Sequence, residues 1–171
     1  MAGKTIGKSM NYGYAGNYAR TPDDIVADRK LADASAAIPF GAAVALKSDN
    51  TYTAVGSTFT AADFAGIALR TVKQATSYQA QNVVSYQPGE MMSALQRGAA
   101  TVVCNVGTPT AGGDVYVRIL ENASVPAGVV GGFEAQADST NTIKLTNCKW
   151  TNGYKDANNV AEVTILTRVN P

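Results

Sequence analysis

Thr142-Ile143-Lys144-Leu145-Thr146-Asn147-Cys148-Lys149-Trp150 alternates strictly: Ile143, Leu145, Asn147 and Lys149 fall on one face, Lys144, Thr146, Cys148 and Trp150 on the other. A period of two is the mark of a pleated strand, whose successive side chains point to opposite faces. The stretch from Val160 to Arg168 repeats it, with Val163, Ile165 and Thr167 opposing Thr164, Leu166 and Arg168. Both stretches are rich in β-branched residues, which suit a half-buried sheet. Working outward, the same reading predicts strands over 40–46, 52–55, 65–71, 82–86, 91–95, 99–105, 114–119 and 132–137. Turn residues separate them, among them Ser48-Asp49-Asn50, Pro88-Gly89, Ala111-Gly112-Gly113 and Thr151-Asn152-Gly153. Short strands at this spacing predict an all-β domain over residues 38–171, a small β-barrel or β-sandwich of β-tulip or jelly-roll-like form. Ala61 to Phe64 is expected to make one helical turn. A helical domain is not predicted, because the alanines sit beside Gly, Thr and Val and not in helical periods.

The chain has 171 residues, 46% of them hydrophobic, which is enough for one buried core. Charged residues are 16% and the formal net charge is +1, so the chain lacks the basic footprint of a nucleic-acid binder. It contains no histidine, which removes the commonest general base and metal ligand and points away from an enzyme. Two cysteines, Cys104 and Cys148, are too few for a disulfide framework or a zinc site and read as reduced core thiols. The first twenty residues do not form a signal peptide, and no apolar run approaches the roughly 18 to 20 residues that span a bilayer. Synthesis in a cytoplasm, no membrane and no cofactor are expected. Asn122-Ala123-Ser124 fits a glycosylation sequon that such a route leaves unused.

Residues 1–37 differ in composition from the rest. Gly7, Gly13 and Gly16 interleave with Tyr12, Tyr14 and Tyr18, and a charged stretch follows from Arg20 to Lys30. The segment reads as an extended amino-terminal arm that orders on a partner, its tyrosines offering large contact area at low side-chain entropy cost. Residues 1–20 hold three basic and no acidic side chains, so an acidic surface is the expected target. Tyr12, Tyr14, Tyr18 and Arg20, with Arg29 and Lys30 at the base, are the candidate contact residues. Thr21-Pro22-Asp23-Asp24 is expected to cap a short helical turn through Leu31. Deleting residues 1–30 is expected to leave the β-domain folded.

Other motifs carry less. Gly3-Lys4-Thr5 and Gly7-Lys8-Ser9 end like phosphate-binding loops but lack the upstream glycine and strand. Asp23, Asp24 and Asp28 lack the loop of a calcium site and read as a solvated face. Trp150 with Tyr154 would make an aromatic sugar platform, although a lone Trp at a strand end more often plugs a barrel or anchors an interface.

The order of phrases says more than any one of them. Ile38-Pro39-Phe40-Gly41-Ala42-Ala43-Val44 precedes Phe64-Ala65-Gly66-Ile67-Ala68-Leu69-Arg70 and Tyr86-Gln87-Pro88-Gly89-Glu90. Leu95-Gln96-Arg97-Gly98-Ala99-Ala100-Thr101-Val102 and Ala111-Gly112-Gly113-Asp114-Val115-Tyr116-Val117 follow, Arg97-Gly98 being read as a turn between two strands. In this order, over about residues 10–120, the chain resembles the structural cement, or head decoration, proteins of tailed bacteriophages. The resemblance implies a non-enzymatic virion protein on the outer capsid surface. It would bind the major capsid protein, self-associate as a homotrimer on the capsid lattice, and hold the expanded shell against packaged DNA. Two other readings stay open: another phage structural β-protein, such as a head fibre base, tail-tube or adaptor component, and a carbohydrate-binding module.

Overall fold

The structure, a computed structural model, describes residues 11–71 and 83–169. Among these residues the chain forms, in order, β1 (Tyr18–Lys30), β2 (Ile38–Pro39), β3 (Ala43–Leu46), β4 (Tyr52–Ala54), β5 (Phe64–Ala68), β6 (Ser85–Tyr86), β7 (Met91–Val103), β8 (Asp114–Arg118), β9 (Phe133–Glu134), β10 (Thr142–Trp150) and β11 (Val160–Ile165). A single 3-10 turn, Ala61–Asp63, stands where a helical turn is predicted. Asp63 closes it by accepting from both the backbone N–H and the hydroxyl of Thr60, at 2.9 and 2.8 Å. The fold is all-β, as the alternation predicts, and its main sheet is antiparallel and curls into a half-barrel. A two-stranded strap of β2 and β6 is separate from it.

The long strand β7 organises the sheet. Leu95 pairs with Val26 of β1 and with Ile67 of β5, and Ala100 pairs with Tyr18 of β1 and with Val163 of β11. One edge of β7 therefore carries β1 along its length, while β5 and β11 share the other edge in succession. Beyond β5 lie β3 and β4, and beyond β11 lie β10, β8 and β9. Splitting the partners of one strand in this way bends the sheet around a core built from Phe64, Ile67, Leu95, Val117, Phe133 and Trp150, among others. A second, smaller core of Leu31, Ile38, Val44, Tyr52, Tyr86 and Met92 lies under the strap. β5 serves both: Phe64 and Ile67 enter the first core, Ala65 and Ala68 the second. This is why Phe64-Ala65-Gly66-Ile67-Ala68 is an unbroken apolar run, since a strand covered on both faces has no solvent side to mark with polar residues.

Four sequence expectations are corrected. First, residues 18–30 of the expected arm are β1, paired antiparallel with β7 from Met91 to Ala100, and Leu31 beyond them is fully buried. The helical turn expected from Thr21 is instead an irregular stretch of this strand, with register shifts between Arg20 and Ile25. Deleting residues 1–30 would strip an edge of β7 and remove a sheet strand, so a truncation meant to spare the domain has to stop before Tyr12. Second, the two strands expected over 91–95 and 99–105 are one, Met91–Val103, and Arg97-Gly98 is not a turn. Gly98 is needed because a Cβ there would come within 2.6 Å of the Asp23 carbonyl oxygen of β1. Third, β10 does not keep one register: it shifts against β8 between Leu145 and Lys149. A bulge inverts the facing of side chains, so Leu145 and the Cys148–Trp150 pair enter the same core although their numbers put them on opposite faces. Fourth, the predicted strand 82–86 is confined to Ser85–Tyr86, Asn82 lying outside the described residues.

Cys104 and Cys148 are free and fully buried, and burial pushes both thiols up from their ordinary value. Neither thiolate nor reagent access is available in the native state. A thiol-specific chromophoric reagent at about pH 8 is therefore expected to titrate both cysteines after unfolding in urea and neither before it. Native-state reactivity would contradict this packing.

Candidate functional site

The amino-terminal segment reaches β1 by a close crossing of two glycines. Gly16, at φ +85°, donates to the Thr101 carbonyl at 2.7 Å and accepts from the Arg70 N–H at 2.8 Å. A Cβ on Gly16 would lie 2.9 Å from the Ala68 oxygen and 2.9 Å from the Gly41 nitrogen, all backbone atoms that have nowhere to go. Gly16→Ala is accordingly expected to unseat the segment at a cost of about 1 to 3 kcal/mol. Limited proteolysis read by mass spectrometry should then find early cleavage within residues 11–17, before the sheet opens. Equal protection in variant and wild type would refute the crossing.

From this crossing each candidate contact residue can be placed. Tyr12 stacks on Tyr154, ring centroids 5.3 Å apart, and accepts from the Asn152 amide at 2.8 Å. Its own N–H donates to Asp156 at 2.8 Å, so the segment and the loop 151–159 are one unit. Burial, with the Tyr154 hydroxyl beside it, pushes the Tyr12 phenol up to about 12. Arg20 pairs through Nε and Nη2 with Glu162, which is only 4% exposed, and Asn152 also donates to that carboxylate at 3.0 Å. Lys30 pairs with Asp33 at 2.8 Å, and the Arg29 guanidinium lies over the Tyr52 ring at 5.5 Å. Tyr12, Arg20, Arg29 and Lys30 are thus all engaged inside the molecule, and sequence cannot reveal the partners Tyr154, Glu162 and Tyr52 because they are remote in the chain.

What remains open to a partner is aromatic. Tyr14 is 66% exposed and Tyr18 about half exposed. The Arg70 guanidinium lies 4.5 Å from the Tyr14 ring and 5.7 Å from the Phe40 ring. Phe40 packs edge-on against Tyr86 with centroids 5.2 Å apart and also walls a groove of about 160 Å³ formed with Ala15, Pro39, Gly41, Val103 and Val129. Arg70 has one visible signal in the sequence, a charge that ends the apolar run from Phe64.

Trp150 is buried in the main core and Tyr154 is stacked on Tyr12, so the two do not form a sugar platform. Asp23 pairs with Arg97 at 3.1 Å, and no cluster of three metal-ligating residues exists among the described residues. Gly3-Lys4-Thr5 and Gly7-Lys8-Ser9 lie outside those residues.

The family model described as structural cement protein (E217 gp24/Pam3 gp6) matches residues 2–166. Among solved structures, a chain of the capsid of Myoviridae phage XM1 has the same fold, with a TM-score of 0.69 and 17% identity over 99% of this chain and 100% of that one. No curated protein sequence matches the chain.

Proposed function

The chain belongs to the phage structural cement proteins and has a structural role in the phage capsid, and from that premise we propose that it binds the major capsid protein on the outer surface of the virion and, as trimers, ties neighbouring capsid subunits together. It is made in the host cytoplasm and joins the shell there. The observation that carries this reading is the family match along nearly the whole chain. The geometry adds a rigid sheet whose amino-terminal segment is already seated, with Tyr14 and Tyr18 exposed beside it. Seating the segment in advance lowers the ordering cost of docking. Each trimer would engage several lattice sites at once, so release requires all of them to let go and weak contacts suffice.

The test is to add the purified full chain to expanded heads that lack it. The reading expects saturable binding and a higher temperature of DNA release from filled heads. Heads that neither bind the chain nor gain heat resistance would overturn it.

A further inference from the structure

We propose that the groove walled by Phe40, Val103 and Val129, together with the Arg70 stack at its rim, is a docking site for a segment of the capsid-lattice protein that places one aliphatic or aromatic side chain next to a carboxylate. This rests on the function proposed above and names the chemistry by which that partner is recognised. The groove's size fixes the first half of the motif. Its volume is about 160 Å³, close to the apolar cavities of about 150 Å³ that admit a benzene ring, so it takes one side chain and not two. Its walls are mostly apolar, with Pro39, Phe40, Val103, Val129 and Val130 among them, Asn105 is the one polar side chain and none is charged, and Val129 is 55% exposed at its mouth. An apolar side chain entering it would leave water without desolvating a charge.

Arg70 fixes the second half. Arg20, Lys30 and Arg97 each have a carboxylate partner, whereas Arg70 has none among the described residues. It lies instead between the rings of Tyr14 and Phe40. Stacking on aromatic faces orients a guanidinium and leaves its in-plane N–H edge for a bidentate carboxylate. Phe40 belongs to both the stack and the groove wall, so the cation sits where the residue beside an inserted side chain would arrive. The Gly16 and Gly41 crossing holds Tyr14 and Ala15 in place beforehand. A Tyr and an Arg beside an apolar pocket are the composition of an interface hot spot.

The experiment uses the full chain and heads that lack it. A photoreactive benzoylphenylalanine replacing Val129 is expected to crosslink, on irradiation, to a major capsid protein peptide with an Asp or Glu beside the attachment point. Crosslinks to a second copy of this chain, to its own amino terminus, or to a capsid peptide without a neighbouring carboxylate would overturn the proposal. In parallel, Arg70→Glu and Val129→Glu should each weaken head binding about tenfold or more with unchanged melting. Lys47→Glu, outside the groove, should bind like wild type. If the Arg70 and Val129 variants also bind like wild type, the groove is not the docking site although the chain still decorates heads. If the unaltered chain fails to bind, the parent reading falls and the groove with it.

Discussion

Arg118→Leu is expected to destabilise the fold by about 3 to 5 kcal/mol, the cost of leaving a buried carboxylate without its partner. Arg118 at the end of β8 and Glu134 of β9 are both fully buried. The guanidinium donates to Glu134 through Nε and through Nη2, the latter at 3.0 Å, and to Asp138 and the Leu120 carbonyl through Nη1 at 2.8 and 3.3 Å. Gly128 lies flat against it, since a Cβ there would come within 2.8 Å of the Arg118 Cδ and overlap Nε. One side chain thus pins β9 and the loops on either side of it, 119–132 and 135–141, to β8. In a chain of this size the loss corresponds to a melting temperature roughly 6 to 20 °C lower. Replacing both partners, Arg118→Leu with Glu134→Leu, should recover much of it, because no buried charge is then left alone. Thermal melting of the single variant within about 2 °C of wild type would contradict the network.

The same network has an acid limit. The Asn122 amide and then the Arg118 guanidinium hold the Asp138 carboxyl below the usual carboxylate range. A carboxyl with a lowered folded-state pKa contributes fully above its unfolded value of about 3.9 and loses that contribution as pH falls through the lowered value. The stability gap between wild type and Asp138→Asn should therefore be constant from neutral pH to about 4 and close below it.

Gly66→Ala is the second large effect, expected to cost about 3 kcal/mol or more because the strain falls on backbone alone. A Cβ on Gly66 would overlap the Leu95 carbonyl oxygen and lie 2.8 Å from its carbon. Leu95 belongs to β7, so no side chain can turn aside. β5 is buried on both faces and has no free side to retreat to. The soluble yield of the variant should fall sharply, and any folded fraction should melt roughly 6 to 12 °C below wild type. Gly56→Ala, where a Cβ would meet nothing within 4 Å, is the control, expected within about 0.5 kcal/mol of wild type. Equal melting of both variants would contradict the β5–β7 approach.

Much of this architecture is legible in the residues. Val163 and Ile165 point inward and Thr164 outward as their alternation says, and Gly112-Gly113 opens a strand that buries Val115 and Val117. Edge strand β1 is not legible, because Tyr18–Lys30 mixes charges and a proline in a strand exposed along most of its length. Those features protect an edge from further pairing, and they also erase the hydrophobic period that marks a strand. The bulge in β10 is silent for another reason: an inserted residue keeps the pattern of each half and changes only their phase. At the candidate site, Tyr14 and Tyr18 stand exposed, while Tyr12 and Arg20 are tied to Tyr154 and Glu162, 142 residues away in each case. Contacts across that separation are made by the fold and leave no local trace.

The claim at the centre of this account is that the chain cements a capsid lattice. The molar ratio of this chain to the major capsid protein in purified virions, measured by quantitative peptide mass spectrometry, tests it most directly. A lattice-wide cement protein predicts a ratio on the order of one, because stabilisation comes from repeated contacts over the whole shell. A ratio of roughly a tenth or less would instead match a tail, fibre or vertex component, and absence from the particle would contradict the account outright.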